Sequence, residues 1–122
     1  MVQSSDSNSH GRKRMTSALH IDIGKEFSKI LGPRFRRDGE FSGEEFREKF
    51  LEPNISAYQT IVIHLDSLSG YTPSFFEEAF GGLVRKHGES VLPKIEFDAI
   101  DRRYLVPIIR AWMGEAAHVP PR

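Results

Sequence analysis

The alternation of apolar and polar residues predicts three strands. In ALHIDI, Leu19, Ile21 and Ile23 share one face and polar residues occupy the other, which is typical of a half-buried strand. TIVIHLD, residues 60–66, is apolar on both faces, which predicts a central strand covered on both sides. PKIEFDAI, residues 93–100, predicts a third, shorter strand.

Three other segments have the periodicity of helices. FSGEEFREKFL begins at Ser42, whose side chain can cap the helix together with Glu45 three residues later. SFFEEAFGGLVRKH, residues 74–87, carries an apolar stripe and ends in cations, which suit the carbonyl end of a helix. DRRYLVPIIRAWM, residues 101–113, predicts a last amphipathic helix, in which Pro107 marks either a kink or a late start.

The order of these elements predicts an α/β fold. GPRFRRDG, residues 32–39, is bounded by glycines and predicts a further edge strand or hairpin arm. Residues 60–97 predict one βαβ crossover, so we expect a mixed sheet of about four strands with helices packed on it. The expected domain spans residues 17–114, between a polar, disordered tail at 1–16 and a short tail at 115–122.

Composition narrows the classes of function. Lys plus Arg equals Asp plus Glu at 17 each, so no global charge attracts nucleic acid or an anionic membrane. The absence of cysteine, of a signal peptide and of any membrane-spanning apolar run favours a cytoplasmic protein without disulfides. The five histidines have no ligand spacing, and His64, Asp66 and Ser67 lack the geometry of a catalytic triad, so we expect no enzyme activity, metal or cofactor.

The start of the second helix poses a question about Ser74. Ser74 with Glu77 forms one capping box, but Thr72 followed by Pro73 is an equally good start, and either cap contributes ~1 kcal/mol. The serine is therefore either a cap only or a hydroxyl held at the mouth of the helix for modification. A phosphate there would meet free backbone N–H groups and the positive end of the helix dipole.

Two further features are each open to two interpretations. Tyr71 and Phe75 flank the same turn and either anchor a partner or pack inside. Arg34, Arg36 and Arg37 either bind an anion or RNA or, as we favour, form a solvated arm balanced by nearby acids. The glycine pair at 81–82 in the predicted helix indicates close approach of that helix to the sheet.

Two long segments of the chain resemble a known family. The segments EFSKILGPRFRRDGEFSGEEFREKFLEPNI and IVIHLDSLSGYTPSFFEEAFGGLVR are similar to the STAS-like family of small bacterial domains, over about residues 20–113. That family has no settled biochemical function. The resemblance implies a STAS-like fold.

The STAS-like family is itself similar to the anti-sigma-factor antagonists. These have an Asp-Ser-Ser-Gly turn at a helix start, and a histidine-kinase-like ATPase, which is also the anti-sigma factor, phosphorylates the second serine. On this pattern Thr72 takes the place of the Asp, Ser74 that of the phosphorylated serine and Phe75 that of the glycine. The resemblance thus implies a partner-switching regulator that binds such an ATPase or an anti-sigma factor.

The resemblance also implies where the partner contacts the chain. The phosphoacceptor candidates are Ser74 first and Thr72 second. The expected partner contacts are Tyr71, Phe75, Glu77 and Glu78. Two alternatives remain open: a constitutive scaffold domain without phosphorylation, and a nucleic-acid binder that uses the arm from Arg34 to Arg37. The oligomeric state is not determined by the sequence.

Overall fold

Three parallel strands form one sheet in the order β1-β2-β3. The computed structural model describes residues 16–119. Residues 1–15 of the predicted N-terminal tail therefore lie outside the described residues. The strands are β1 (Thr16–Asp22), β2 (Tyr58–His64) and β3 (Ile95–Asp98). The predicted crossover is confirmed, since β2 and β3 pair in parallel, and β2 is the central strand as expected.

Four helical segments join and follow the strands. α1 is a single turn, Ile23–Glu26. α2 covers residues 43–51 and joins an α-helical turn, Gly43–Phe46, to a π-helical turn, Arg47–Leu51. α3 covers residues 73–87 and is built in the same way, from Pro73–Phe76, Glu77–Gly81 and Gly82–His87. α4 is Leu105–Ala116, and short 3-10 turns lie at Arg36–Asp38, Glu52–Asn54 and Glu89–Lys94.

The expectation of about four strands in a mixed sheet is corrected to three parallel strands in the part of the chain that the structure describes. Residues 32–39 form no strand; the segment turns through its 3-10 helix and serves the start of α2 instead. The carbonyl oxygens of Pro33 and Arg34 accept the N–H groups of Gly43 and Glu44 at 2.9 and 3.0 Å. These are orphan donors of the first helical turn, so the segment satisfies a helix end rather than a sheet edge.

The second correction concerns the two faces of the sheet. One face bears the buried residues Ile21, Ile61 and Ile63 and is covered by the helices. On the opposite face Val62 and His64 are half-buried and His20 is exposed, because no described element packs over them. Among residues 16–119, β2 is therefore covered on one side only, which is uncommon for a parallel sheet.

The core lies between the sheet and α3, which contacts both α2 and α4. Phe80 of α3 meets Phe97 of the sheet edge-on at 5.2 Å and meets Phe46 of α2 at 6.1 Å. Pro107 lies in the first turn of α4. Of the two alternatives for this proline, a kink or a late helix start, the structure therefore shows the late start. No helix within residues 16–119 has the length and apolar character needed to cross a bilayer.

Candidate functional site

The turn before α3, residues 65–72, lies at the carboxyl end of β2, where ligands of open α/β sheets commonly bind. Two other loops hold it in place, the loop after α1 and the loop between β3 and α4. Ser69 N–H donates to the carbonyl of Lys29 at 2.7 Å, and the guanidinium of Arg102 donates to the carbonyl of Leu68 at 2.7 Å. Asp66 accepts the N–H groups of Ile100 and Arg102, which lower the pKa of its carboxyl group. The turn is thus a fixed platform.

The structure assigns the helix cap to Thr72. Its hydroxyl oxygen accepts the N–H of Phe75 at 3.2 Å and donates to the carbonyl of Gly32 at 2.8 Å, and Pro73 occupies the first helical position. Ser74 is half-buried at the second position, and its hydroxyl lies 3.5 Å from that of Thr72, at the limit of hydrogen bonding. Ser74 therefore has no capping role, while the Thr72 hydroxyl is used twice.

Substitution of the two hydroxyl residues tests this assignment. Thr72→Ala is expected to lower the free energy of unfolding by about 1–2 kcal/mol, because it removes both the cap and the bond to Gly32. Ser74→Ala is the matched control and is expected to change it by less than about 0.5 kcal/mol. Urea denaturation of both variants measures the difference. A larger loss for Ser74→Ala than for Thr72→Ala would contradict the assignment.

Tyr71 is the predicted contact that keeps a surface position. Its ring packs on Phe76 at 5.5 Å, and its hydroxyl meets that of Tyr104 at 3.0 Å. Tyr104 is 50% exposed, and Arg102 lies 5.8 Å from the Tyr71 ring. Sequence reasoning missed Tyr104 and Arg102, because only the fold brings residues about thirty positions apart to the same sheet edge.

Phe75 and Glu78 are not available to a partner. Phe75 is fully buried and contacts Phe46 and Phe76, so it takes the interior alternative. The Glu78 side chain is 5% exposed and accepts a hydrogen bond from Arg47 at 2.6 Å. Both residues lie on the side of α3 that faces α2, which corrects their expected role as contacts.

Glu77, the remaining expected contact, belongs to a network of charges between the helices. It accepts hydrogen bonds from Arg34 and from Arg85, the latter at 2.5 Å. Burial alone would raise the pKa of Glu77, but the hydrogen bonds from Arg85 and Arg34 outweigh it, so the pKa is lowered. Glu77 is thus an ionised partner of two arginines rather than a free surface acid.

Arg47 is the buried centre of the same network. Its side chain is 8% exposed and also donates to Glu52 at 2.9 Å. Burial alone would lower the pKa of Arg47, but hydrogen bonds to Glu52 and Glu78 raise it above its ordinary value. A β-carbon at Gly82 would lie 2.8 Å from the Arg47 guanidinium, so this glycine makes room for an ion pair rather than for the sheet.

The arginine arm is held by acidic side chains of α2 and α3. Arg34 pairs with Glu77 of α3, and Arg36 pairs with Glu48 of α2 at 2.8 Å. Arg37 is exposed, and its guanidinium lies 4.5 Å from the centre of the Phe35 ring. Two of the three candidate anion-binding residues are therefore engaged with carboxylates.

A polar cluster on the open face of the sheet was not predicted. His20 Nδ1 and His64 Nε2 lie 2.8 Å apart, and His64 Nδ1 lies 3.5 Å from Asp98 Oδ2. At the end of β1, Ser67 donates to Asp22, so this serine faces a carboxylate and not His64. The spacing along the chain could not show the histidine pair, because it arises from the pairing of β1 with β2.

The candidate site lies within the part of the chain that matches a known protein family. A family model described as a STAS-like domain of unknown function matches residues 42–102, half of the 122-residue chain. No match to the chain was found among curated proteins or among solved structures. The matched range includes α2, β2, the turn, α3 and β3.

Proposed function

Because this chain belongs to the STAS-like domain family, as its sequence suggested, we propose that it is a non-enzymatic regulatory module that switches protein partners. Phosphorylation of Ser74 is the switch, and the kinase is a histidine-kinase-like ATPase or anti-sigma factor that docks on the turn before α3. The observation that carries the proposal is the assignment of the cap to Thr72, which leaves the Ser74 hydroxyl outside the helix cap.

The position of Ser74 suits a phosphate. As the second residue of α3, Ser74 lies at the positive end of the helix dipole, which stabilises a phosphate without unfolding the helix. The modification adds a charge of about −1.5 to −2, which acts on whatever surface faces the turn. Tyr71 and the exposed Tyr104 supply the aromatic contacts that commonly anchor a protein partner.

Arg34 is a cation that a phosphate on Ser74 could attract. It bonds Glu77, which lies three residues after Ser74 and thus on the same face of α3. A phosphate on Ser74 would compete with Glu77 for this guanidinium. Because Arg34 belongs to the loop that joins α1 to α2, a change of its partner would shift that loop. This coupling favours a switch over a constitutive scaffold, because it links the modified residue to a second loop.

The test is affinity purification of the tagged full chain from the organism in which it naturally occurs. We expect Ser74→Asp to reduce the recovered partner by about tenfold, equivalent to ~1.4 kcal/mol, and Ser74→Ala to retain it. Ser69→Asp, an exposed charge in the same turn, is the matched control and should retain the partner.

Three outcomes count against the proposal. Equal recovery of the partner with Ser74→Asp and wild-type chain would indicate a constitutive scaffold. Loss with both Ser74→Asp and Ser69→Asp would show a general charge effect at the turn. Recovery of nucleic acid that is lost on neutralising Arg36 and Arg37 would favour the nucleic-acid alternative.

A further inference from the structure

The open face of the sheet brings two imidazoles and a carboxylate together from three different strands. His20 belongs to β1, His64 to β2 and Asp98 to β3, and His64 and Asp98 are direct neighbours in the register. The ring nitrogens of the two histidines converge to 2.8 Å. His20 is exposed and the His64 side chain is 29% exposed, so solvent reaches the pair.

The carboxylate of Asp98 lies on the Nδ1 side of the His64 ring. Asp98 Oδ2 lies 3.5 Å from His64 Nδ1 and favours a proton on that nitrogen. The lone pair of His64 is then on Nε2, the atom that faces His20. A carboxylate behind an imidazole in this way orients metal-binding histidines and increases their basicity.

We propose that His20 Nδ1 and His64 Nε2 bind a divalent transition-metal ion, with Zn²⁺ and Cu²⁺ the best-suited ions. Imidazole nitrogen is a preferred ligand of both. Two nitrogens bound to a tetrahedral zinc ion at about 2.0–2.1 Å lie roughly 3.3 Å apart. The ring centres are now 5.1 Å apart, so the rings must separate by about half an ångström and turn until both lone pairs point at the ion. Binding moves the His20 proton from Nδ1 to Nε2, which faces away from the ion.

The surroundings favour a cation and leave its remaining positions open. No three side chains suited to metal binding are grouped together within residues 16–119, so two imidazoles are the donors offered and water completes the shell. Asp98 and Asp22 both lie beside His64 in the register and make the face attractive to a positive ion. An open shell also allows a metal-bound partner or anion to attach there.

Calorimetric titration of the untagged full chain with ZnCl₂ tests the site. His20→Ala and His64→Ala are each expected to weaken the binding at least tenfold, and Asp98→Ala by about 10–100-fold. His118→Ala is the matched control for the loss of an exposed histidine. Glu96→Ala controls for the loss of an exposed carboxylate on the same strand as Asp98. Both controls should bind zinc like the wild-type chain.

A second measurement identifies the atoms. In ¹⁵N spectra of the imidazoles, zinc should shift His20 Nδ1 and His64 Nε2, while the backbone amide spectrum shows that each variant is folded. Equal zinc affinity of the wild-type chain and the His20→Ala/His64→Ala double variant would overturn the proposal. So would zinc shifts confined to other histidines. Neither result depends on Ser74, so the metal site and the partner switch are tested independently of each other.

Discussion

Replacing Arg47 with alanine is expected to lower the free energy of unfolding by about 3–5 kcal/mol. The guanidinium is buried and bonds the carboxylates of Glu78 and Glu52 at 2.6 and 2.9 Å. Its loss leaves the Glu78 carboxylate, 5% exposed, without its nearest cation. Arg34 and Arg85 lie 3.5 Å from the other Glu78 oxygen and compensate only in part.

Urea denaturation measures this change, and a surface pair in the same helix provides the control. Lys49→Ala removes the exposed pair with Glu45 and should cost only about 0.3–0.5 kcal/mol. If the free energy of unfolding falls with urea concentration at the same slope in both variants, the two variants expose the same surface on unfolding. A loss for Arg47→Ala as small as that for Lys49→Ala would mean that the network does not join α2 to α3.

Phe75→Ala is expected to lower the free energy of unfolding by about 3–5 kcal/mol. The ring is fully buried and contacts Phe27, Phe46 and Phe76, so truncation leaves a cavity where α3 meets α2. Phe41→Ala, which truncates a ring that is 40% exposed, is the matched control and should cost clearly less. Thermal or urea unfolding monitored by circular dichroism compares the two variants.

The same variant separates a core residue from a partner contact. If Phe75 were an exposed anchor, its truncation would weaken partner binding and leave stability unchanged. A stability change of less than about 1 kcal/mol would therefore contradict the buried position. Tyr71 is the better residue for the converse test, because its ring is only half-buried.

Local signals in the sequence predicted the start of α2 and the position of the central strand. The cap of α2 is confirmed, since the Ser42 hydroxyl accepts the N–H of Glu45 at 3.0 Å. The ion pair expected from a four-residue spacing, Glu45 with Lys49, is present at 2.9 Å. These features depend on residues within one helical turn, which is why the sequence sufficed to predict them.

Features that depend on distant residues were not predictable. The glycine pair at 81–82 indicated close packing, but the ion pair that occupies the space needs Arg47, some 35 positions earlier. The pattern of β2 indicated two covered faces, yet whether a face is covered depends on where other elements pack. The pairing of His20 with His64 likewise required the register of β1 and β2.

The choice between Thr72 and Ser74 shows the same limit at short range. Both residues have hydroxyl side chains and a suitable residue after them, so propensity could not separate the two caps. The carbonyl of Gly32, forty residues away, accepts a hydrogen bond from Thr72 and decides in its favour. A tertiary contact thus determines which hydroxyl remains available at the mouth of α3.

The most direct test of the proposed switch is the phosphate occupancy of Ser74 in the native protein. Trypsin releases residues 50–85 as one peptide, and fragment-ion mass spectrometry can assign a phosphate within it to Ser74, Thr72 or another hydroxyl. The free and partner-bound pools should be analysed separately. We predict phosphate on Ser74 in the free pool and little in the partner-bound pool. Equal occupancy in both pools, or no phosphate on Ser74 in either, would contradict the proposal.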